Sequence, residues 1–288
     1  MNENIFDIDI DIDTTMINPT FIFVDGSYYC FHRYYALQRW WKSAYPDEPL
    51  TIPAENEAFV QKYKKTFINN LKSIPRKLNL HKDPVKPILI VGKDCPRENI
   101  WRMDIFKDYK GTRTLDDGFM GGPFFKMAYE EDLFQQGGAK ALLYHPRLEA
   151  DDCIALSVKH LCKKYPLCNI YIITSDRDYL QLNNDHHNVF IYNLAFKNLA
   201  QEKSSTGNGM TDLKIKILVG DTSDNIPSVF PKCGPKTALK CVEDDAYFQQ
   251  KMQDNPVYKA QYELNETLVN FDKIPQHFAE EFMLSIKK

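Results

Sequence analysis

Residues 21–27 read Phe-Ile-Phe-Val-Asp-Gly-Ser, an apolar run that ends in a carboxylate and a turn. Such a run is typical of a buried strand followed by a tight turn. The same arrangement returns at residues 88–94, Ile-Leu-Ile-Val-Gly-Lys-Asp, and at residues 170–176, Ile-Tyr-Ile-Ile-Thr-Ser-Asp. Short apolar strands separated by helical stretches predict an α/β fold, with a parallel sheet and helices on both faces.

The segments between these strands carry helical and irregular patterns. Apolar residues at 154, 158 and 161 predict an amphipathic helix, and residues 124–136 predict another, which a Gly-Gly pair would end. Residues 113–123 predict a mobile loop. Residues 183–212 predict irregular structure with an edge strand at 189–192, after which a second helical region begins near Asp212.

The chain has 288 residues, 43% of them hydrophobic, which allows one large domain or a domain with an appendage. No apolar run approaches the roughly 20 residues that cross a bilayer, and residues 1–19 predict an acidic arm rather than a secretory signal. We therefore expect a soluble protein without membrane contact, acting inside a cell, including the host cell if a phage encodes it. The seven cysteines should be reduced and mostly buried, with Cys95 and Cys233 the more exposed.

The formal net charge of −3 by itself disfavours nucleic acid as a partner, because nucleic-acid-binding proteins usually present a basic surface. The distribution of charge points the other way. Basic residues crowd two short stretches, 97–113 and 232–240, whereas acidic residues cluster elsewhere. This pattern predicts two basic surface regions on either side of an acidic centre.

Carboxylates stand where the predicted strands end. Asp25, Asp94 and Asp176 each follow a strand, and ligand sites in open α/β sheets lie beyond the carboxyl ends of the strands. Residues 149–152, Glu-Ala-Asp-Asp, open the helix that follows, and Asp178 comes two residues after Asp176. A lone Asp of this kind is more often a helix cap or a turn residue.

The whole set of acids is difficult to explain by structure alone. Like charges packed within a few ångströms are strongly unfavourable unless cations neutralise them or some are protonated. Oxygen ligands without a nearby histidine favour Mg²⁺ or Mn²⁺ over zinc. Two such ions about 3.5–4 Å apart would bind both sides of a scissile phosphate, so the pattern predicts phosphodiester hydrolysis.

Two further motifs suit a phosphate substrate. Lys110 and Arg113 could supply a point charge and a bidentate partner to a phosphate, although an ordinary basic helix face is about equally consistent with them. Asp221 and Asp224, three residues apart, precede the stretch Lys-Cys-Gly-Pro-Lys-Thr at 232–237. A helix, a glycine-containing turn and a second helix opening with Lys-Thr would offer backbone N–H groups to a duplex backbone, whereas the alternative is a simple capped helix pair.

These motifs together resemble the 5′-nuclease or flap endonuclease superfamily, which includes the 5′ nuclease domain of bacterial DNA polymerase I and phage-type RNase H. The resemblance runs from about Phe21 to Ala238 and rests on motifs that occur in the family order. They are Val24-Asp25-Gly26, Asp94 with Trp101-Arg102, Tyr109-Lys110-x-x-Arg113, Glu149-Ala-Asp151-Asp152, Thr174-Ser175-Asp176-Arg177-Asp178 and Gly220-Asp221-x-Ser-Asp224-Asn225-Ile226-Pro227.

The resemblance implies a structure-selective 5′ nuclease with two-metal catalysis, acting in replication, repair or recombination on DNA with 5′ ends, flaps or nicks and on RNA–DNA hybrids. It implies metal ligation by nine acids: Asp25, Asp94, Glu149, Asp151, Asp152, Asp176, Asp178, Asp221 and Asp224. The catalytic set would be Lys110 and Arg113 with Asp25, Asp94, Asp151 and Asp176. The DNA-binding set would be Arg102, Tyr109, Lys232, Gly234, Lys236 and Thr237.

The implied organisation is an acidic arm at 1–19, a PIN-like catalytic core at 20–200 with a helical gateway at about 100–125, and a helix-three-turn-helix duplex-binding region with C-terminal helices at 210–288. The family hairpin also holds K⁺, and we expect a monomer. The hairpin here is one residue longer than usual and lacks the first glycine, and residues 114–123 are short for a long arch. K⁺ binding and a closed arch are therefore left open.

Three rival functions remain. A PIN-type endoribonuclease would share the acids but would not need the hairpin at 221–238. An aspartyl-phosphate phosphatase is suggested by Asp11 and Asp13 in an Asp-x-Asp-x-Thr pattern, but no apolar strand precedes them. A non-catalytic DNA-structure-binding protein would have lost acids that are all present here.

Overall fold

The computed structural model describes residues 18–112, 118–183, 188–253 and 255–286. Five parallel strands form one sheet in the order β3-β2-β1-β4-β5. They are β1 (Thr20–Asp25), β2 (Ile88–Gly92), β3 (Ala139–Leu143), β4 (Asn169–Ile173) and β5 (Val189–Tyr192). The central strand β1 pairs with β2 and β4, so the carboxyl ends of these three strands lie side by side.

Helices surround the sheet and continue beyond it. In chain order they are α1 (Gly26–Ala44), α2 (Glu57–Lys72), α3 (Ile74–Lys77), α4 (Arg102–Ile105), α5 (Gly122–Glu130), α6 (Leu133–Gln136), α7 (Ala150–Lys164), α8 (Gly209–Val219), α9 (Pro235–Glu243), α10 (Asp245–Gln253), α11 (Pro256–Val269) and α12 (Gln276–Ile286). No helix in these described ranges has the length and apolar character needed to span a bilayer.

Alternation along β1 divides the core into two layers, because successive strand side chains point to opposite faces. Phe21 and Phe23 lie in the layer that α7 and α12 cover. Ile22 and Val24 lie in the other layer, which is covered by α1, α2 and α5. The predicted α/β class, with a parallel sheet and helices on both faces in a PIN-like arrangement, is confirmed.

The C-terminal region is helical, as predicted. Helices α8 and α9 are joined by the connection at 220–234, in which Asp221 and Ile226 form an isolated antiparallel bridge. Together with α10 and α11 they bury a small core of their own. The last helix, α12, returns to the sheet and packs against α7 through Phe282 and Ile286.

Three predictions about local structure were wrong or incomplete. Strand β3 was missed, because its sequence Ala-Lys-Ala-Leu-Leu lacks the β-branched residues that mark strands. The helix predicted at 124–136 is two helices, since Asp132 has a left-handed φ of 53° that interrupts it. Cys95 and Cys233 are buried among apolar side chains instead of exposed.

Two segments with predictions lie outside the described residues. They are the arm through residue 17, with Asp11 and Asp13, and residues 113–117 of the predicted loop.

Candidate active site

A cavity of about 890 Å³ opens at the carboxyl ends of β1 and β4, between the sheet and α8. Eight of the nine acids predicted to bind metal line it, and the ninth, Asp152, lies behind the wall with no exposed surface. The eight are Asp25, Asp94, Glu149, Asp151, Asp176, Asp178, Asp221 and Asp224. The strand-end argument therefore correctly placed Asp25, Asp94 and Asp176, which are far apart in sequence, around one space.

Asp25 is held by hydrogen bonds from α1 and from the residue that follows β4. Its carboxylate caps α1 by accepting a hydrogen bond from the backbone N–H of Tyr28 at 3.0 Å, and it accepts another from the hydroxyl of Thr174 at 3.3 Å. The next residue is glycine because a Cβ on Gly26 would lie 2.5 Å from the carbonyl oxygen of Gly92 on β2. This close approach brings Asp25 next to the end of β2.

The pKa of Asp25 is raised to about 7. Burial is the main cause, and the negative charges of Asp94 and Asp176 add to it. Asp94 in turn accepts hydrogen bonds from the hydroxyl of Ser27 and, at 2.8 Å, from the backbone N–H of Ala150 at the start of α7. Hydrogen bonds to the carboxylate of Asp94 thus connect the end of β2 with the starts of α1 and α7.

The start of α7 carries three acids whose ligand atoms lie within 4.8 Å of one another: Glu149, Asp151 and Asp152. Glu149 and Asp152 form a capping box, so each acid also satisfies backbone N–H groups of the first turn. Burial raises the pKa of Asp151 well above its usual value, and the charges of Asp152 and Glu149 act in the same direction. No described lysine or arginine pairs with Asp151.

Arg102 neutralises the buried side of this group. Its guanidinium binds both carboxylate oxygens of Asp152, at 2.7 and 2.8 Å, and one oxygen of Glu149 at 3.0 Å. The indole N–H of Trp101 also donates to Asp152, at 2.9 Å. Arg102 is only 2% exposed. Arg102 thus binds acids in the interior, and its predicted contact with DNA stays a prediction. Asp152 is held by these donors behind the cavity wall, within ligand distance of Glu149 and Asp151.

Tyr109 and Lys110 hold the outer side of Glu149. The Tyr109 hydroxyl lies 3.1 Å from Glu149 and 3.2 Å from Asp224, and the ammonium of Lys110 pairs with Glu149. Burial would raise the pKa of Glu149, but the charges of Lys110 and Arg102 outweigh it and lower that pKa. Tyr109 is 3% exposed, and its predicted DNA contact also stays a prediction. Lys110 lines the cavity, whereas its predicted partner Arg113 lies outside the described residues.

On the opposite wall, Asp176, Asp178 and Asp221 surround a cation that the sequence had not revealed. The ammonium of Lys216, on α8, pairs with Asp178 and lies 2.8 Å from Asp221. Burial would lower the pKa of Lys216, but the charges of Asp178, Asp176 and Asp221 outweigh it and raise that pKa. Only its position five residues before Asp221, on the inner face of α8, could have indicated this role.

Lys216 affects its two partners differently. Burial acts against ionisation of Asp221, but Lys216 overcomes it and the pKa of Asp221 falls to about 2. Deeper burial, together with the charge of Asp176, keeps the pKa of Asp178 at about 7 in spite of the same ammonium. Asp178 is therefore harder to ionise than Asp221, although both contact Lys216.

The predicted duplex-binding residues lie at the start of α9. Gly234 is its N-cap, and a Cβ there would meet nothing within 4 Å. Lys232 and Lys236 are exposed, Thr237 is half-buried, and Lys236 reaches the cavity. The start of α9 thus has free space around the backbone of Gly234 and two exposed lysines beside the acids.

The family model of the 5′-3′ exonuclease N-terminal resolvase-like domain matches residues 20–211, two-thirds of the chain. The chain belongs to the 5′-3′ exonuclease family. A 5′-3′ exonuclease of Buchnera aphidicola subsp. Schizaphis graminum is 31% identical over 225 residues, which cover 76% of this chain and 68% of the relative. DNA polymerase I of Streptococcus pneumoniae is 29% identical over 214 residues, 65% of this chain but 23% of that polymerase.

Solved structures agree with this family fold. The T5 D15 protein co-crystallised with metal ions matches 93% of this chain and 98% of its own, with a TM-score of 0.58 at 16% identity. The T5 D15 flap endonuclease in a pseudo-enzyme–product complex with DNA and metal ions gives a TM-score of 0.56 at 17% identity. At such identities the likeness concerns the fold of this exonuclease-family chain.

Proposed function

We propose that this chain is a structure-selective 5′ nuclease that hydrolyses DNA phosphodiesters at 5′ ends, flaps and nicks with two divalent ions, Mg²⁺ or Mn²⁺. One observation carries the proposal. Asp25, Asp94, Asp151 and Asp176 line one cavity, and none of them forms an ion pair with a described lysine or arginine. Membership of the 5′-3′ exonuclease family supports the same reaction.

The donor set fits hard divalent cations. The described residues that line the cavity include many carboxylates but no histidine or cysteine, and oxygen-only ligation favours Mg²⁺ or Mn²⁺. Mutual repulsion and burial raise the pKa of both Asp25 and Asp151, and a bound cation relieves such repulsion. When bound, the ions would supply an activated water and stabilise the leaving oxygen.

The chain's own residues position these ligands and the substrate. Arg102 and Tyr109 immobilise Glu149 and Asp152, so the first turn of α7 keeps Asp151 directed at the cavity. Lys110 has a left-handed φ of 56°, held by a hydrogen bond from its backbone N–H to the carbonyl of Asp224 at 2.8 Å. Its ammonium, at the cavity wall, would stabilise negative charge on a scissile phosphate.

In this proposal, the α8–α9 pair binds the duplex part of the substrate. Backbone N–H groups at the start of α9 and the side chains of Lys232 and Lys236 would contact phosphates without reading bases. A potassium ion in the connection at 220–234, action on RNA–DNA hybrids and a monomeric state belong to the same proposal. Exchange of K⁺ for Li⁺ should weaken duplex binding if that ion is present.

One substrate panel tests the proposal. Labelled 5′-flap DNA, nicked duplex, RNA–DNA hybrid and single-stranded RNA are incubated with the protein in Mg²⁺, Mn²⁺ or EDTA, and the position of each cut is read. We expect metal-dependent cuts near the junction of the flap. Internal cuts in single-stranded RNA with the flap spared would identify an endoribonuclease, and DNA binding without any cleavage would identify a binding protein.

A further inference from the structure

Helix α1 begins at the metal-binding acids and has an unusual composition. It contains no Asp or Glu among its 19 residues, although acids outnumber bases in the chain by 39 to 36. Asp25 caps its first turn, and Tyr28 and Phe31 line the cavity. The helix therefore leads directly from the reaction site to the surface.

One exposed face of α1 carries a stripe of aromatic and basic residues at helical spacing. We define the α1 stripe as Phe31, Tyr35, Arg39 and Lys42, which recur at i, i+4, i+8 and i+11 and are all exposed. Phe31 and Tyr35 are each 41% exposed, with ring planes 11° apart and centroids 6.4 Å apart. At about 1.5 Å per residue the stripe extends about 17 Å from the cavity.

The stripe is well supported from beneath and is bounded at its far end. The ring centroid of Phe119 lies 5.2 Å from that of Phe31 and 6.1 Å from that of Tyr35, so Phe119 packs against both exposed rings. Buried Tyr34 and Trp41 anchor the opposite face of α1 in the core. Beyond Lys42 the chain turns acidic at 47–48, which limits the basic surface to the helix.

Three cations also lie close to His32 of α1. Arg33 lies beside His32, with its guanidinium 2.9 Å from the imidazole. Burial, together with the positive charges of Arg33, Arg39 and Lys77, lowers the pKa of His32 to about 4. Arg39 of the stripe and these two further cations add positive charge around this part of α1, which favours a polyanion.

We propose that the α1 stripe is a track for the single-stranded 5′ arm of the substrate, in which bases stack on Phe31 and Tyr35 and phosphates pair with Arg39 and Lys42. Aromatic platforms combined with a basic groove are the means by which proteins hold single strands without sequence preference. The stripe is continuous with the cavity, because Phe31 belongs to both, so its occupant is the single strand that extends from the scissile phosphate. The inference rests on the proposed 5′ nuclease function.

The test compares duplexes that differ only in their 5′ arm: a nicked duplex without an arm, and flaps of increasing length. Binding is measured by fluorescence anisotropy in EDTA and cleavage by single-turnover assay in Mg²⁺. Wild-type affinity should rise with arm length and then level off. Tyr35→Ala should weaken binding of the long flap by about tenfold and leave the nicked duplex unchanged, whereas Tyr35→Phe should retain wild-type affinity.

The charged half of the stripe is tested by salt dependence. Replacing Arg39 and Lys42 together by Gln should reduce the slope of log Kd against log salt by about 1.4 for the long flap, because each single-strand phosphate contact contributes about 0.7. Lys163→Gln is the matched control, since it removes an exposed charge on α7, across the sheet. It should change nothing.

Each outcome decides the proposal. Equal losses on flap and nicked duplex, or no loss on either, would overturn the track, as would an equal effect of Lys163→Gln. If the wild type cuts none of these DNAs but binds long flaps more tightly, with that preference lost in Tyr35→Ala, then the proposed nuclease function fails and the track stands.

Discussion

The two sides of the acidic cavity are neutralised in different ways. We call Asp25, Asp94, Glu149, Asp151 and Asp152 the first acidic cluster, and Asp176, Asp178, Asp221 and Asp224 the second. In the first, Arg102 and Lys110 pair with Glu149 and Asp152 and leave the other three carboxylates without a basic partner among the described residues. In the second, Lys216 lies among the acids themselves.

This difference indicates a division of labour. In the first cluster Arg102 and Lys110 hold Glu149 and Asp152 in place. The other carboxylates, which face the cavity, therefore need an external cation. In the second cluster the protein supplies an internal cation, Lys216, whose side chain is 22% exposed compared with 2% for that of Arg102. Metal should therefore be more important to the first cluster, and the second should tolerate change better.

The largest effect is expected at Asp25. Asp25→Asn keeps the cap on α1, because Asn caps helices as well as Asp, but removes a charge from the first cluster. Cleavage of a 5′ flap should fall by about 10³-fold or more, since loss of a metal ligand removes several kcal/mol of transition-state stabilisation. Single-turnover assays in Mg²⁺ measure the loss, and anisotropy should find DNA binding retained.

Two controls connect this prediction to the comparison. Asp178→Asn makes the same change in the second cluster and should cost less activity, and Asp245→Asn, on α10, should cost none. Equal losses for Asp25→Asn and Asp178→Asn would remove the distinction between the clusters.

Arg102 should matter most for stability. Arg102→Gln leaves Asp152 buried without its basic partner and removes one of the two partners of Glu149, and breaking a buried ion pair in this way costs about 3–5 kcal/mol. Urea denaturation in EDTA measures the free energy of unfolding. The matched variant Lys216→Met should cost less, because its site is more exposed. A cost at Lys216 equal to that at Arg102 would contradict the proposed division.

Lys110→Ala should lower the rate of cleavage by about 10²-fold with little change in the free energy of unfolding, because its charge is needed in the transition state and Glu149 keeps Arg102 and Tyr109. The rate constant of flap cleavage at saturating enzyme is the measurement. Lys107→Ala removes an exposed charge three residues away and serves as the control. Similar losses in the two variants would indicate general attraction of DNA.

Lys216→Met should raise the affinity of the second cluster for Mn²⁺ by about tenfold, because a positive charge this close repels a divalent ion by more than 1.4 kcal/mol even at moderate dielectric. Calorimetric titration of the metal-free protein with Mn²⁺ measures both classes of site. The affinity of the first cluster should stay constant. If neither affinity changes, Lys216 does not compete with metal.

The smallest effect is on the pH dependence of stability without metal. Asp25 and Asp178 have pKa values raised to about 7, so the folded state binds more protons than the unfolded state as pH falls from 7 towards 4, and these groups favour folding in that window. His32, with its pKa lowered to about 4, acts in the opposite sense below pH 6.5.

Melting temperatures in EDTA between pH 7.5 and 5 test this balance. Because two acids oppose one histidine, the net melting temperature should rise as pH falls. Asp25→Asn and Asp178→Asn should each flatten the rise. Saturating Mg²⁺ should reverse it, since metal competes with protons for the same carboxylates.

Much of the fold followed from local rules. Apolar runs ending in Asp predicted β1, β2 and β4, and helical periodicity predicted α7. Strand β3 did not follow, because Ala-Lys-Ala-Leu-Leu becomes a strand only through its pairing with β2. The break at Asp132 likewise depends on a backbone conformation that no periodicity encodes.

The sequence alone determined which acids reach the site, because parallel strands place their carboxyl ends at one edge and a strand-end carboxylate must lie there. Only the tertiary structure decided what each charge does. Arg102 and Lys110 belong to one basic stretch, yet Arg102 is buried against Asp152, fifty residues away, while Lys110 faces the cavity. Lys216 likewise acquires its role from Asp178, which folding brings to α8. Burial and charge pairing are properties of the assembled chain, and sequence spacing does not encode them.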